Sequence, residues 1–185
     1  MKTRVTKTPL EGILVVNIDF AQDERGFFLE SWNKKDFAAA GAAYDFVQDS
    51  HSRSSHRVLR GLHYQDMRAP IVKLVRCTLG RVFDVAVDLR VSSPTFGKWF
   101  GIELTAENKT QVLVPVGFAH GFLTLSDACE IQYKQTAYYE PATEGGIAWN
   151  DPDVAIEWPL PNPILSKRDQ HQSSLKQYSQ NPAFR

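Results

Sequence analysis

Short apolar runs, rich in β-branched and aromatic residues, alternate with polar residues along most of the chain. Such alternation is typical of β-strands, because successive side chains of a strand point to opposite faces. Glycine, proline and serine mark turns between the runs, at a spacing of roughly ten residues. The pattern predicts strands at 12–20, 26–32, 58–65, 71–79, 81–90, 98–104, 110–115, 121–125 and 129–139. A series of short strands like this predicts an antiparallel sandwich or barrel.

Helical patterns are few. Residues 33–41 predict one short helix, with Asn33 as its N-cap and Gly41 as its C-cap. Residues 166–178 predict a second helix near the end of the chain. A long irregular segment rich in proline precedes this second helix, and no linker or repeat divides the sequence. We therefore expect a single domain over residues 1–185.

Composition and charge narrow the class of protein. The 185 residues are 43% hydrophobic and 23% charged, which is typical of a globular domain with a sizeable core. Lys and Arg together number 21, as do Asp and Glu, and this balance argues against a nucleic-acid or membrane-surface protein. Two cysteines are too few for a disulfide framework or a four-ligand zinc site. The chain shows neither a signal-peptide pattern nor an apolar run of roughly 18 residues, so we expect a cytoplasmic protein.

The stretch "RVLRGLHYQD" at 57–66 does not fit a simple half-buried strand. Strict alternation places Arg60 and His63 on opposite faces, each among apolar neighbours. Gly61 offers an explanation, because glycine within a strand often marks a bulge or a close approach of two backbones. A bulge at this position would turn both polar side chains into the same cavity.

Two further polar residues lie in unusual places. Lys73 shares one face of its strand with apolar side chains, and His120 lies between glycines in "PVGFAHGF". The glycines predict that His120 is held in a tight turn at the mouth of a barrel. Polar groups on the apolar faces of a small barrel indicate a ligand cavity.

Each candidate also has an ordinary structural interpretation. A histidine in a strand, such as His63, is more often a satisfied structural residue than a catalyst. The Lys73 ammonium group can reach solvent along its flexible chain. Ser166 and Asp169 have the spacing of a helix capping box. Tyr133 can be interpreted as an ordinary aromatic residue of a β-strand.

Several motifs occur in one order: "RGLHYQ", "KLVRCTLGRVFDVAVDLR", "SPTFG", "PVGFAHGF" and "LSKRD". With them, nearly the whole chain resembles the dTDP-4-dehydrorhamnose 3,5-epimerase family of the cupin superfamily. The resemblance implies an all-β fold, a jelly-roll barrel or sandwich with a few short peripheral helices, and a homodimer. It also implies that the substrate is a dTDP-4-keto-6-deoxy sugar, that carbons C3 and C5 are inverted, and that no cofactor is needed.

Acid–base chemistry is implied by the same resemblance, because both carbons lie next to a ketone. His63 matches the general base, a role suited to a side chain that titrates near neutral pH. Asp169 matches the carboxylate that orients this base, and Asp84 is a second candidate for that role. Lys73 and His120 match groups that stabilise the enolate oxygen.

Proton return and substrate binding complete the implied site. Tyr133 matches the acid that protonates from the opposite face. Arg60 and Arg168 match groups that hold the diphosphate, and Tyr139 matches a residue that stacks on thymine. In the family, one segment contacts nucleotide across the dimer interface, and here its matching residues are Arg25, Phe28 and Glu30. Further substrate contacts are implied for Gln48, Asp49, Ser50 and Glu144.

The sequence predicts no metal site. Many cupins bind a metal through a His-x-His pair, a glutamate and a later histidine, but here His63 is followed by Tyr64 and Gln65. No glutamate occurs between Gln65 and Arg90. His63 and His120 alone form a poor metal site.

Three residues depart from the family pattern, and the changes at Ser50 and Ile71 leave alternatives open, whereas Arg168 keeps the charge. Ser50 stands where asparagine is usual, Ile71 where glutamine is frequent, and Arg168 where lysine is common. An epimerase acting only at C3 or only at C5 is therefore an alternative. A non-catalytic sugar-nucleotide-binding cupin is another, although a binding protein does not need a base together with an acid.

Overall fold

The computed structural model describes residues 1–185 as an arrangement of short strands. Strands β1 to β13 are, in order, Thr3–Lys7, Leu14–Ile18, Ala21–Asp23, Gly26–Phe28, Gln48–Ser55, Leu59–Gln65, Lys73–Leu79, Arg81–Asp88, Trp99–Thr105, Gln111–Val114, Phe118–Thr124, Ala128–Gln135 and Glu144–Gly146. The two α-helices are short, α1 at Lys34–Ala39 and α2 at Leu175–Tyr178. Single 3₁₀ turns occur at Pro141–Thr143 and Asp169–His171.

Two antiparallel sheets face each other across the core. The larger sheet has the order β1-β2-β10-β7-β12-β5, and the smaller has the order β13-β6-β11-β8-β9. Val75 and Ile131 of the larger sheet pack in one buried cluster with Val82 and Phe122 of the smaller sheet. The sheets are not closed into a barrel, so the molecule is a sandwich, and the predicted all-β class is confirmed.

Every predicted strand is found, with ends that are shorter or longer than expected, but the pattern missed the short strands β1, β3 and β13 and the longer strand β5. Its sequence, "QDSHSRSS", has no apolar alternation, yet it pairs with β12 along its whole length, from Gln48↔Gln135 to Ser55↔Ala128. The prediction for His120 was also wrong. Strand β11 begins at Phe118, so this histidine lies within the strand and not in a turn.

Helix α1 confirms the predicted N-cap, because Asn33 Oδ1 accepts hydrogen bonds from the second and third residues after it. The C-cap is Ala40, and Gly41 follows it with a φ of +92°. The single helix predicted at 166–178 is wrong. Two short pieces replace it, because Ser174 starts α2 with its own capping box. Neither α-helix is long and apolar enough to cross a membrane.

Candidate active site

A cavity of about 750 Å³ lies between strands of the two sheets and contains most of the predicted site residues. The larger sheet contributes β5, β7 and β12, and the smaller sheet contributes β6 and β11. The predicted residues in its wall are Gln48, Ser50, Arg60, His63, Lys73, His120, Tyr133, Tyr139, Glu144, Arg168 and Asp169. Residues predicted from separate sequence motifs therefore lie in one cavity.

The predicted bulge is present in strand β6. Between the pairs His120↔His63 and Phe122↔Arg60, two residues of β6 stand opposite one residue of β11. Gly61 makes this possible, because a Cβ at that position would lie 2.6 Å from a backbone Cα of β11. The extra residue turns Arg60 and His63 to the same side of the strand, and both line the cavity.

His63 forms a hydrogen bond with Asp169, with 2.6 Å between Nε2 and Oδ1. Burial disfavours the charged carboxylate, but the hydrogen bond and charge of His63, with help from Ser166, hold the pKa of Asp169 below its ordinary value. The Ser166 hydroxyl also accepts the Asp169 N–H at 3.1 Å. Half of the predicted capping box is thus present, while the carboxylate itself is directed to the histidine.

Arg168 lies against the same imidazole. Its Nη2 is 3.1 Å from Nε2 of His63 and 3.4 Å from Nδ1. Nε2 cannot donate a hydrogen bond to Asp169 and accept one from Arg168 at the same time. Its contact with the Asp169 carboxylate is the shorter of the two. We therefore place the proton of the neutral ring on Nε2, which leaves the Nδ1 lone pair as the basic position.

Glu144 connects Arg168 to the outer part of the cavity. Its carboxylate forms an ion pair with Arg168 Nη1 and accepts the Tyr139 hydroxyl at 2.7 Å. This hydrogen bond to a carboxylate is the main reason that the pKa of Tyr139 is raised. Tyr139 is 48% exposed, so a flat ligand can reach its ring.

A second histidine–carboxylate pair lies beside the first. His120 Nε2 is 2.9 Å from Asp84 Oδ2, and both side chains are buried. The sequence offered Asp84 as an additional partner of His63, and the structure corrects this. Strands β8 and β11 are direct neighbours, so Asp84 reaches the histidine on its adjacent strand.

Lys73 and Tyr133 occupy the wall that belongs to the larger sheet. The Lys73 Nζ lies 5.9 Å from the centre of the Tyr133 ring. Although Lys73 keeps some exposure, burial of its ammonium group lowers the pKa, and the charges of Glu144 and Asp84 oppose this change only in part. His63 is on the other sheet, so a ligand between the sheets meets these groups on opposite sides.

Arg60 and Gln48 lie near the outer part of the cavity. The Arg60 guanidinium donates to the Ser54 hydroxyl at 3.0 Å and to a main-chain carbonyl at 3.2 Å. Both partners are neutral, so the positive charge is not compensated by a carboxylate. The Gln48 amide accepts from the Tyr139 N–H at 3.1 Å and donates to Ser50 at 3.2 Å.

Four predicted substrate contacts lie outside this cavity. Asp49 points to the other face of β5, where its carboxylate binds Lys134 at 2.9 Å. This departs from the prediction, because neighbouring residues of a strand cannot share one face. The other three are exposed residues on or beside the β3–β4 hairpin: Arg25, Phe28 and Glu30. Their predicted contacts would require a second chain.

Among the polar strand residues that line the cavity, sequence reasoning missed two, Ser52 and Gln135. Each lies two positions from a predicted site residue on the same strand. The period of two would have found Ser52 had β5 been recognised as a strand, and it already places Gln135 on the same face as Tyr133 in the predicted strand at 129–139.

No cluster of three or more His, Cys, Asp or Glu side chains is arranged to hold a metal ion. His63 and His120 each direct Nε2 to a carboxylate, so one nitrogen on each ring is already engaged.

Fold and site together define a cupin-like, all-β protein whose cavity carries acid–base groups. Residues 7–177 match the sequence model of the dTDP-4-dehydrorhamnose 3,5-epimerase family, and the chain belongs to this family of isomerases.

Its relatives span nearly the whole chain. A dTDP-4-dehydrorhamnose 3,5-epimerase from Shigella flexneri is 54% identical over 89% of this chain and 92% of its own length. The crystal structure of a dTDP-6-deoxy-D-glucose-3,5-epimerase from Legionella pneumophila, in complex with dTDP-4-keto-L-rhamnose, has a TM-score of 0.90 at 44% identity, covering 94% of this chain and 93% of that one. A dTDP-4-dehydrorhamnose 3-epimerase from Streptomyces niveus is 39% identical over 90% of this chain and 81% of its own length.

Proposed function

We propose that this protein inverts C3 and C5 of dTDP-4-dehydro-6-deoxy-D-glucose to give dTDP-4-dehydro-L-rhamnose, a step in the synthesis of dTDP-L-rhamnose. One observation carries the proposal: His63 and Tyr133 stand on opposite walls of a cavity that also contains Lys73. Both carbons are next to the C4 ketone, so their protons become acidic once the enolate is stabilised. Inversion needs a base on one face and an acid on the other.

His63 is the general base of this proposal. Its Nδ1 takes the proton from C3 or C5, because Nε2 is bound to Asp169 at 2.6 Å. The ionised carboxylate stabilises the imidazolium that forms and fixes the ring plane. Since Asp169 lies on a separate 3₁₀ turn, the pair depends on the packing of that turn against β6.

The enolate oxygen on C4 carries negative charge after proton removal. Lys73 supplies a cation in a poorly solvated place, where electrostatic stabilisation is larger than in water. His120, whose Nε2 is held by Asp84, supplies a second hydrogen-bond donor through Nδ1 as an imidazolium, with protons on both ring nitrogens. Neither group needs a redox cofactor or a metal ion for this role.

Tyr133 returns a proton from the larger sheet. Its strand position fixes the ring relative to His63, and fixed geometry is what proton transfer requires. The sugar is bound between the two sheets, so the protonated face of C5 is opposite to the face that lost its proton.

The diphosphate binds Arg60 and Arg168, and thymine stacks on Tyr139. The support for Arg60 is its uncompensated charge, and the support for Tyr139 is its exposed ring at the outer part of the cavity. Gln48, Ser50 and Glu144 lie close enough to this part to contact the sugar nucleotide.

A homodimer completes the proposal. The β3–β4 hairpin exposes Phe27 by 57% and Phe28 by 66%, and apolar surface of this kind favours burial against a second copy. Arg25, Phe28 and Glu30 would then contact nucleotide bound to the partner. The two cysteines are free and buried, which fits the reducing cytoplasm.

A single-site epimerase is the second candidate, favoured by the 39% identity with a dTDP-4-dehydrorhamnose 3-epimerase. The deciding experiment incubates the protein with dTDP-4-dehydro-6-deoxy-D-glucose in D₂O and locates deuterium by NMR. Label with inversion at both C3 and C5 supports the proposal. Label at one carbon supports the single-site enzyme, and no label supports a non-catalytic sugar-nucleotide-binding protein.

A further inference from the structure

Gln135, the last residue of β12, lines the main cavity but has no role in the scheme above. Side chains two residues apart share a strand face, so Ile131, Tyr133 and Gln135 form one row along the cavity wall. Gln135 is in register with Gln48 on one neighbouring strand and with Lys73 on the other. Its amide is therefore next to the cation that we assign to the C4 oxygen.

The hydrogen bonding of Gln135 differs from that of the other buried glutamines. Gln65 donates to a main-chain carbonyl and accepts from a main-chain N–H, at 2.8 Å in each case. Gln111 donates to a main-chain carbonyl at 2.7 Å. Gln135 is only 4% exposed, and its Nε2 has no hydrogen-bond partner. A buried donor without an acceptor is unfavourable, so this amide needs an explanation that folding alone does not give.

We propose that Gln135 determines substrate specificity by forming a hydrogen bond with the C3 hydroxyl of the sugar, an inference that rests on the proposed function. The terminal torsion of a glutamine is soft, so either end of the amide can turn towards the cavity. An amide offers both a donor and an acceptor, as a hydroxyl does. Of the two carbons beside C4, C5 carries a methyl group and C3 carries the only hydroxyl.

The test compares two substrates in D₂O, the 4-keto-6-deoxy sugar nucleotide and an analogue with hydrogen in place of the C3 hydroxyl. Deuterium exchange at C5 is measured for both, because this carbon is the same in each. We expect Gln135→Leu to lower kcat/KM by about tenfold with the first substrate and to leave the analogue nearly unchanged. Affinity for dTDP should not change. Gln180→Leu, at an exposed glutamine outside the cavity, is the matched control.

Stability separates a binding role from a structural one. Gln135→Leu removes a buried, unpaired donor, so its urea midpoint should equal or exceed that of the wild type. Gln65→Leu removes three hydrogen bonds and should lower the midpoint. A lowered urea midpoint for Gln135→Leu, or equal losses of kcat/KM with both substrates, would overturn the role given to Gln135. The proposed function would then still stand. If the wild type exchanges neither substrate, the proposed function fails and the inference fails with it.

Discussion

Two histidines lie opposite each other on β6 and β11, and each directs Nε2 to a carboxylate, but the carboxylates come from different places. Asp169 lies on a 3₁₀ turn outside the sheets. Asp84 lies on β8, within the same sheet as its partner His120. The first pair depends on how a peripheral segment packs, whereas the second is built into the sheet.

Their surroundings differ as well. The side chain of His63 is 16% exposed and has Arg168 beside it, whereas that of His120 is 8% exposed. A base must meet the substrate and change its charge during each turnover, so it needs an approachable ring and a carboxylate that stabilises the imidazolium. A hydrogen-bond donor to the enolate must only hold its position. The comparison predicts different consequences when each pair is altered.

The largest effect is expected from His63→Asn. No proton leaves C3 or C5 without the base, so exchange with D₂O and inversion should both fall by about 10⁴-fold. The matched variant His120→Asn removes only one donor to the enolate and should cost about 10²-fold. NMR measurement of exchange rates at both carbons gives the comparison. Equal losses in the two variants would mean that the pairs do not have different roles.

Tyr133→Phe should separate exchange from inversion. His63 can still remove a proton, exchange it with solvent and return a deuteron to the same face. Inversion should fall by roughly 10³-fold, most clearly at C5, while exchange persists. The measurement is deuterium incorporation with retained configuration, seen by NMR. A proportional loss of both processes would contradict the assignment of Tyr133 as the opposite-face acid.

The sequence predicted those parts of the fold that carry apolar alternation, and it predicted the bulge from Gly61. It did not predict β5, because one face of that strand lines a polar cavity and the other is exposed. A strand that buries little apolar surface has no apolar period of two.

The separation of the site residues along the chain limited how much of the site could be predicted from the sequence. The hydrogen bond between His63 and Asp169 joins residues 106 positions apart, so no local pattern can indicate it. The motif resemblance supplied that pairing, and local reasoning offered only the cap with Ser166. Asp84 was matched with the wrong histidine because the order of strands in the smaller sheet was unknown.

Lys73→Met should lower kcat by about 10²- to 10³-fold and leave dTDP affinity nearly unchanged, because the cation acts on charge that develops during the reaction. Burial lowers the pKa of Lys73, so the ammonium form is lost at a lower pH than for an ordinary lysine. Activity should therefore fall as the pH rises through that pKa. Lys73→Arg keeps its charge to higher pH, and whatever activity it retains should fall at higher pH than that of the wild type. A normal kcat with a raised KM in Lys73→Met would show that the lysine only binds substrate.

Removal of metal ions is expected to have no effect on the reaction. The facing histidines would be the obvious ligands, but Asp169 and Asp84 already engage one nitrogen of each ring, and Gln65 stands where the usual cupin motif has another histidine. The Lys73 ammonium group in the same cavity would repel a cation. Exhaustive dialysis against EDTA should leave the exchange rates at C3 and C5 unchanged. Loss of exchange that a divalent ion restores would show that the two histidines act together as ligands, and the contrast between a base and a donor would no longer hold.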